Sequence, residues 1–342
     1  MFPPLSAYRP KSDIHVHIVL ISVVWAVWAS QLISNEYWHL VERNWFMSLT
    51  MVFGSFVAGA TSEGGGAVAF PVMTLGFDIS PSVARDFSLM IQSVGMTSAA
   101  IMILVMGIRI DWRIVLTASA GGAVGVILGL ELVSALIGPN DTKIFFVSFW
   151  LGFGLALYWI NRDQDRNVLT RVRYISSKDY LMLLIAGAVG GVVSGLTGSG
   201  LDIFIFSFMV LYFHMSEKIA TPTSVILMAV NSLVGFLWKE STVGMSTEAW
   251  QYWWACVPVV VIGAPVGAMV IKNRSRNFVV GFLYISIIGQ YIWALIAIEQ
   301  SPRLIGLSLA IILVSGLFYF FVVRAGRSRY PYNRISWQDQ SS

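Results

Sequence analysis

The sequence predicts an all-α polytopic membrane protein made of two inverted repeats. Each repeat is a broken or re-entrant helix pair plus three transmembrane helices, with one extra helix at each end of the chain. Three observations carry this expectation. Apolar runs of span length recur, giving about eight full spans and two broken elements. Charged residues are only 12% of the chain, where a soluble domain carries about 25%. A glycine-broken apolar stretch also occurs twice at a constant offset. With 56% hydrophobic residues and a mean hydropathy of +0.73, the chain cannot cover a water-facing surface. That excludes a soluble enzyme, a nucleic-acid binder and a disordered protein. The net charge of +4 is read as basic loops gathered on one membrane face, not as affinity for an acidic macromolecule.

A full span takes roughly 17–25 mainly apolar residues. The first, 14–34, lacks a small-residue cleavage site and is read as a retained helix. The stretch 47–77 is too long for one helix and is interrupted by Gly59-Ala60-Thr61-Ser62-Glu63-Gly64-Gly65-Gly66, then Pro71. Spans follow at 87–106, 114–137 and 144–160, completing a first repeat over 47–160. A charged segment, 161–179, links it to the second repeat, 180–298. That repeat opens with 180–213, broken at Gly195-Leu196-Thr197-Gly198-Ser199-Gly200-Leu201-Asp202, and continues with 219–238, 251–271 and 278–298. A last span at 304–323 and a tail, 324–342, complete one integral membrane domain over 1–342. Trp112 and Trp250, beside Asp111 and Glu248, read as interfacial anchors in the two halves.

Shifting the first half by 136 positions places Gly59 on Gly195, Thr61 on Thr197, Gly64 on Gly200, Phe70 on Phe206, Ser80 on Ser216 and Ser88 on Ser224 without a gap. Three crossings per repeat turn the second half upside down relative to the first. Basic residues set the orientation. No Lys or Arg falls inside a proposed span, and if both broken stretches return to the side they entered, 17 of the 22 lie on the side of the N-terminus. Single crossings would give 12 against 10. The positive-inside rule therefore favours cytoplasmic termini in the cell (inner) membrane. If only the first stretch crossed, an outside N-terminus would give 16 against 6; the repeat argues against that form. Parity does not separate a re-entrant hairpin from two short crossings.

Backbone left unpaired in hydrocarbon costs several kcal/mol per group, so a break is tolerated only inside protein or beside a watery cavity. The half-helix after each break points free N–H groups and a partial positive charge back toward mid-membrane. Glycine lets an oxyanion approach them closely. Inverted repeats with discontinuous helices point to a secondary transporter with its site at the repeat interface. The expected ligand is a small anion, held by Gly64, Gly65 and Gly66 and by Gly198 and Gly200, with hydroxyls from Ser62, Thr197 and Ser199. Gln92 and Asn231 either line the cavity or hydrogen-bond between helices. Glu63 and Asp202 are acids at membrane depth, where acids mark pathways or proton relays. An ionised acid repels a neighbouring anion, so ligand entry and protonation favour each other. The competing reading is a carboxylate capping its own half-helix, which suits Asp202 better than Glu63. Isolated pairs such as Gly187 and Gly191 read as helix packing. One cysteine and four histidines give no expected metal site, cofactor or nucleophile motif, so no enzyme is expected.

The triple glycine with Pro71 five residues on, the second break, and the Gly121–Gly125 and Gly263–Gly267 patches resemble the TauE/SafE sulfite exporter family, also called the toluene sulfonate uptake permease family. The resemblance covers about 47–298. It implies a permease moving sulfite, sulfonates or related small anions, coupled to an ion gradient. Two departures stand out. Glu63 precedes the triple glycine where a small residue is expected, and the second break reads Gly-Ser-Gly-Leu-Asp. The expected partners are thus a small anionic substrate, a coupling ion with the proton favoured, and the bilayer. The alternatives are a passive anion channel and, less favoured, an intramembrane enzyme.

Overall fold

The computed structural model describes residues 14–61, 63–161, 169, 172, 174–271 and 276–329. Ser62, most of the 161–179 linker, and the tail beyond 329 lie outside the described residues. α1 (Ile14–Ser34) leads through a short α2 (Trp38–Arg43), which the sequence reading did not anticipate, into α3 (Trp45–Ala60). After the first break α4 (Gly66–Pro71) resumes and widens into a π-helical turn, Val72–Gly76. α5 (Pro81–Val105) and α6 (Trp112–Leu128) follow. A second wide turn and the single-turn α7 (Ser134–Leu136) extend α6, and α8 (Pro139–Asn161) closes the first half. The second half runs α9 (Ser177–Thr197), a break, α10 (Leu201–Ser207) with a wide turn over Phe208–Tyr212, α11 (Glu217–Thr242), α12 (Thr247–Ile271) and α13 (Arg276–Ala297). α14 (Pro302–Arg329) stands after it.

Among the described residues, seven helices are long and apolar enough to cross a bilayer. Six hold expected spans. The seventh is α9, the first arm of the second broken stretch, so that arm is span-length instead of a half-helix. The expected spans at 144–160 and 278–298 form α8 and α13, of 23 and 22 residues; Asp141 and Lys143 make the start of α8 less apolar. Helices also run past the apolar cores the sequence marked. α5 takes in Arg85 and α11 takes in Lys239, against the expectation that every basic residue lies between spans. Local chemistry sets the starts. The Ser80 hydroxyl accepts the Val83 N–H, and Pro81 occupies the first turn, where a missing N–H costs nothing. Ser176 and Asp179 form a reciprocal capping box at α9.

The 136-residue offset reappears in backbone geometry. The wide turns at Val72–Gly76 and Phe208–Tyr212 are repeat mates. So are Asp78 and His214, both in left-handed backbone. The N–H of Ile79 reaches Met73 O at 2.9 Å, and that of Met215 reaches Met209 O at 2.8 Å. Ser80 and Ser216 cap the helices that follow.

The two halves run in opposite senses. Asp86, near the start of α5, pairs with Lys239 near the end of α11. Asp111, just past the end of α5, bonds to Thr223 near the start of α11: its N–H donates to Thr223 Oγ1 at 3.3 Å. The central helices α5 and α11 are therefore antiparallel mates. One end of the bundle gathers Asp78, Lys143, Asp141 and Arg303 through ion pairs. The other gathers Arg113, which donates to Val172 O, and Leu169, whose backbone bonds to His214 and Ser216. Across the halves, α3 packs on α12 and α9 on α6, the same pairing used twice. Glycine makes both contacts possible. A side chain at Gly59 would overlap the Ala264 carbonyl, and one at Gly125 the Ala188 carbonyl. Gly187 and Gly191 meet the α6 backbone in the same way, which is the packing role expected for them.

Candidate functional site

The first arm ends at Thr61, in extended backbone, with its hydroxyl 2.9 Å from Val57 O and within 3.1 Å of the Glu63 N–H. Gly64 then turns left-handed at φ 63°, a conformation costing an ordinary residue about 1–2 kcal/mol. The N–H groups of Gly64, Gly65 and Gly66 meet no acceptor among the described residues. At the second break Gly198 closes α9 at φ 84°, its N–H on Ser194 O at 2.7 Å.

The two helix tips are unequal. At the second, the Ser194 hydroxyl takes the Leu201 N–H at 3.0 Å, and Asp202 Oδ1 takes the Ile203 N–H at 3.0 Å. The second tip is thus largely capped by its own chain, and Asp202 has the geometry of a cap. At the first tip no side chain does this among the described residues.

The structure brings the breaks into direct contact. Ser199 Oγ donates to Glu63 O at 3.4 Å, and these residues are repeat mates separated by 136 positions. Two mates can touch only near the axis relating the halves, so the contact marks that axis. A β-carbon at Gly64 would stand 2.6 Å from Asp202 Oδ2, 2.5 Å from Gln92 Oε1 and 3.2 Å from Ser199 Oγ. Gln92 ties the cluster to α5: its Nε2 donates to Gly198 O at 2.7 Å and Ser88 O at 3.0 Å. Gly64, Gly66, Ser199, Asp202 and Gln92 therefore converge. Thr197 lies in the same turn, but its hydroxyl serves Val193 O and Ser199 O, bracing the break. Asn231 stands a layer away, its Oδ1 3.2 Å from where a Gly122 side chain would begin. Ser93 and Ser232 bond to carbonyls of their own helices.

Glu63 and Asp202 are fully buried, and no ion pair to either occurs among the described residues. Both Glu63 oxygens, Asp202 Oδ2, Gln92 Oε1, Ser88 Oγ and both Asn231 amide atoms are buried without a geometrically sound hydrogen bond among the described residues, though the Ser286 hydroxyl lies near Glu63. Most buried polar groups are satisfied in native proteins, so this concentration is unusual. Next to Gly65 and Gln92 lies a cavity of about 10 Å³, lined also by Met51, Ser55, Ala58 and Met96, with room for about one water.

Two groups here escaped the sequence reading. Ser88 was visible only as a repeat match. Ser194 caps a helix seven residues later across the break, a spacing no capping motif announces. Arg85, which the sequence places between spans, is buried: its guanidinium holds Asp86 Oδ1 at 3.0 Å, while Lys239 and the Ser246 N–H hold Oδ2. The Arg85 carbonyl faces Gly198, so this charged trio sits beside the second break.

A helical membrane protein whose interior joins two broken elements from antiparallel halves has the architecture of a secondary transporter. The family model "Sulfite exporter TauE/SafE" matches residues 47–292, more than two thirds of the chain, and the chain belongs to that family. It is an integral membrane transporter, which sets the enzyme reading aside. No curated protein and no solved structure matches it.

Proposed function

We propose that the chain moves a small sulfur-containing oxyanion, sulfite or an organosulfonate, by alternating access around the two facing breaks, with a proton as the coupling ion. The observation that carries this reading is the N–H trio at Gly64–Gly66, which meets no acceptor among the described residues and lies beside a cavity and at the contact of the two halves. These donors hold the anion. Gly198, Gly200, Thr197 and Ser199 shape the opposing wall, and Gln92 fixes it to α5. Ser62 adds a hydroxyl to the first tip by its place in the sequence, while Asn231 lines the approach from α11.

Glu63 carries the proton, because no cationic side chain pairs with it among the described residues. Asp202 caps α10 with one oxygen and leaves the other facing Gly64. A cavity sized for about one water is too small for the substrate, so the breaks part to admit it. In this reading the termini are cytoplasmic, by the excess of basic residues on their side.

The test is uptake of labelled sulfite into proteoliposomes. Wild-type protein accumulates it against its gradient when a pH gradient is imposed; a passive channel only equilibrates it. Gly65→Val inserts normally and loses transport. Glu63→Gln retains exchange but loses its response to pH. Undiminished uptake by the valine variant removes the site from the first break.

A further inference from the structure

A trough of about 570 Å³ runs between α8 and α14, lined by none of the residues of the two breaks and outside the repeats on its α14 side. Its volume falls in the range of ligand sites, about 300–1,000 Å³. The helices touch where a side chain on Gly152 would overlap Ser315 Oγ, and the trough opens beside that crossing. Gly316 leaves it clear, since a β-carbon there meets nothing within 4 Å. Leu155 and Phe320 form its walls and are more than half exposed. Along α14 the lining positions run from Gly316 to Arg327 on one face, about 17 Å of helix.

The trough changes character at one end. Arg324 and Arg327, three residues apart and so on one face, both line it. Neither pairs with a carboxylate among the described residues. That end lies beside the linker: a side chain at Gly326 would overlap the Leu211 carbonyl, and His214 just beyond bonds to Leu169.

We propose that this trough holds one anionic phospholipid, its acyl chain along Gly316–Val323 and its phosphate on Arg324 and Arg327. Guanidinium forks match phosphate oxygens bidentately, and basic pockets between transmembrane helices on the cytoplasmic side take anionic headgroups. Charge complementarity selects this occupant over a second copy. Two copies the same way up in the bilayer bring their Arg324 and Arg327 ends to the same depth, where they repel. The bound lipid presses α14 onto the second broken element, because Phe318 already packs at a tilt against Phe204 and Phe208, with ring centroids 5.6 and 6.2 Å apart.

The test uses purified full-length protein, delipidated in detergent, with melting and native mass spectrometry as readouts. Phosphatidylglycerol is expected to remain bound and to raise the melting temperature; phosphatidylcholine and inorganic phosphate are not. The double variant R324Q/R327Q binds phosphatidylglycerol at least tenfold more weakly while melting as wild type does without lipid. Gly316→Phe fills the trough and displaces the lipid. Equal stabilisation by both lipids, phosphatidylglycerol selectivity surviving in the double variant, or a dimer broken by Gly316→Phe with no lipid preference would each overturn the proposal.

Discussion

Gly64 and Gly65 are neighbours in the first break, yet they answer a substitution differently. Gly64 sits at φ 63°, and a methyl group there would crowd Gln92 and Asp202 at 2.5 and 2.6 Å. Gly65 has ordinary helical backbone, and its nearest neighbour, Met51 Cε, is at contact distance, 3.5 Å. Gly64→Ala is therefore expected to destabilise the protein by about 1–3 kcal/mol. Gly65→Ala leaves stability within about 0.5 kcal/mol while shielding the N–H trio. Thermal melting in detergent, run beside uptake, separates the two. If both variants melt alike, the left-handed turn is not held as described. The triple glycine was legible as a break, but not which of its members needs glycine for the turn and which for access. That distinction depends on what faces each residue across the fold.

Charge pairing holds the central helices at one end. Asp86 is almost wholly buried and answers Arg85 and Lys239 together, with a backbone N–H from Ser246. Removing one partner of a buried pair costs about 3–5 kcal/mol, so Asp86→Asn is expected to lower stability within that range. Lys239, partly exposed, contributes less than Arg85. Heating followed by size-exclusion chromatography reads the loss of monodisperse protein; an unchanged profile would mean that the trio does not pin α5 to α11. Element boundaries near this trio show where sequence reading stops. An apolar window ends at the first charge, whereas a helix continues if that charge finds a partner, as Arg85 and Lys239 do in Asp86. Likewise, the length of α9 was hidden because Gly195 was read as the start of the break. It is in fact part of the face that meets α6. The repeat was legible, since glycine spacing survives where backbone geometry demands it. The inequality of the two tips was not, because Ser194 acts across a turn.

At the scale of the molecule, the ion pairs sort the loops into two ends, and those ends fix a topology that labelling can test. Cys256 is the chain's one cysteine and is buried, so its replacement gives a clean background. Lys178→Cys and Arg324→Cys are expected to react with an impermeant maleimide only from the cytoplasmic side. Lys143→Cys and Arg303→Cys are expected to react only from outside. Labelling of Lys143→Cys and Lys178→Cys from one side would refute the inverted arrangement.

The Ser199–Glu63 hydrogen bond has a consequence for energetics. A carrier assembled from two identical copies would rest evenly between its two openings. Here the position nearest the axis holds an acid in one copy and a hydroxyl in the other, so the symmetry is spent at its most sensitive point. Under alternating access, opening toward one compartment moves a carboxylate, and opening toward the other moves a neutral serine. On the proposed mechanism, such a carrier is expected to prefer one opening at rest, with the sense of that preference set by the residue at position 63.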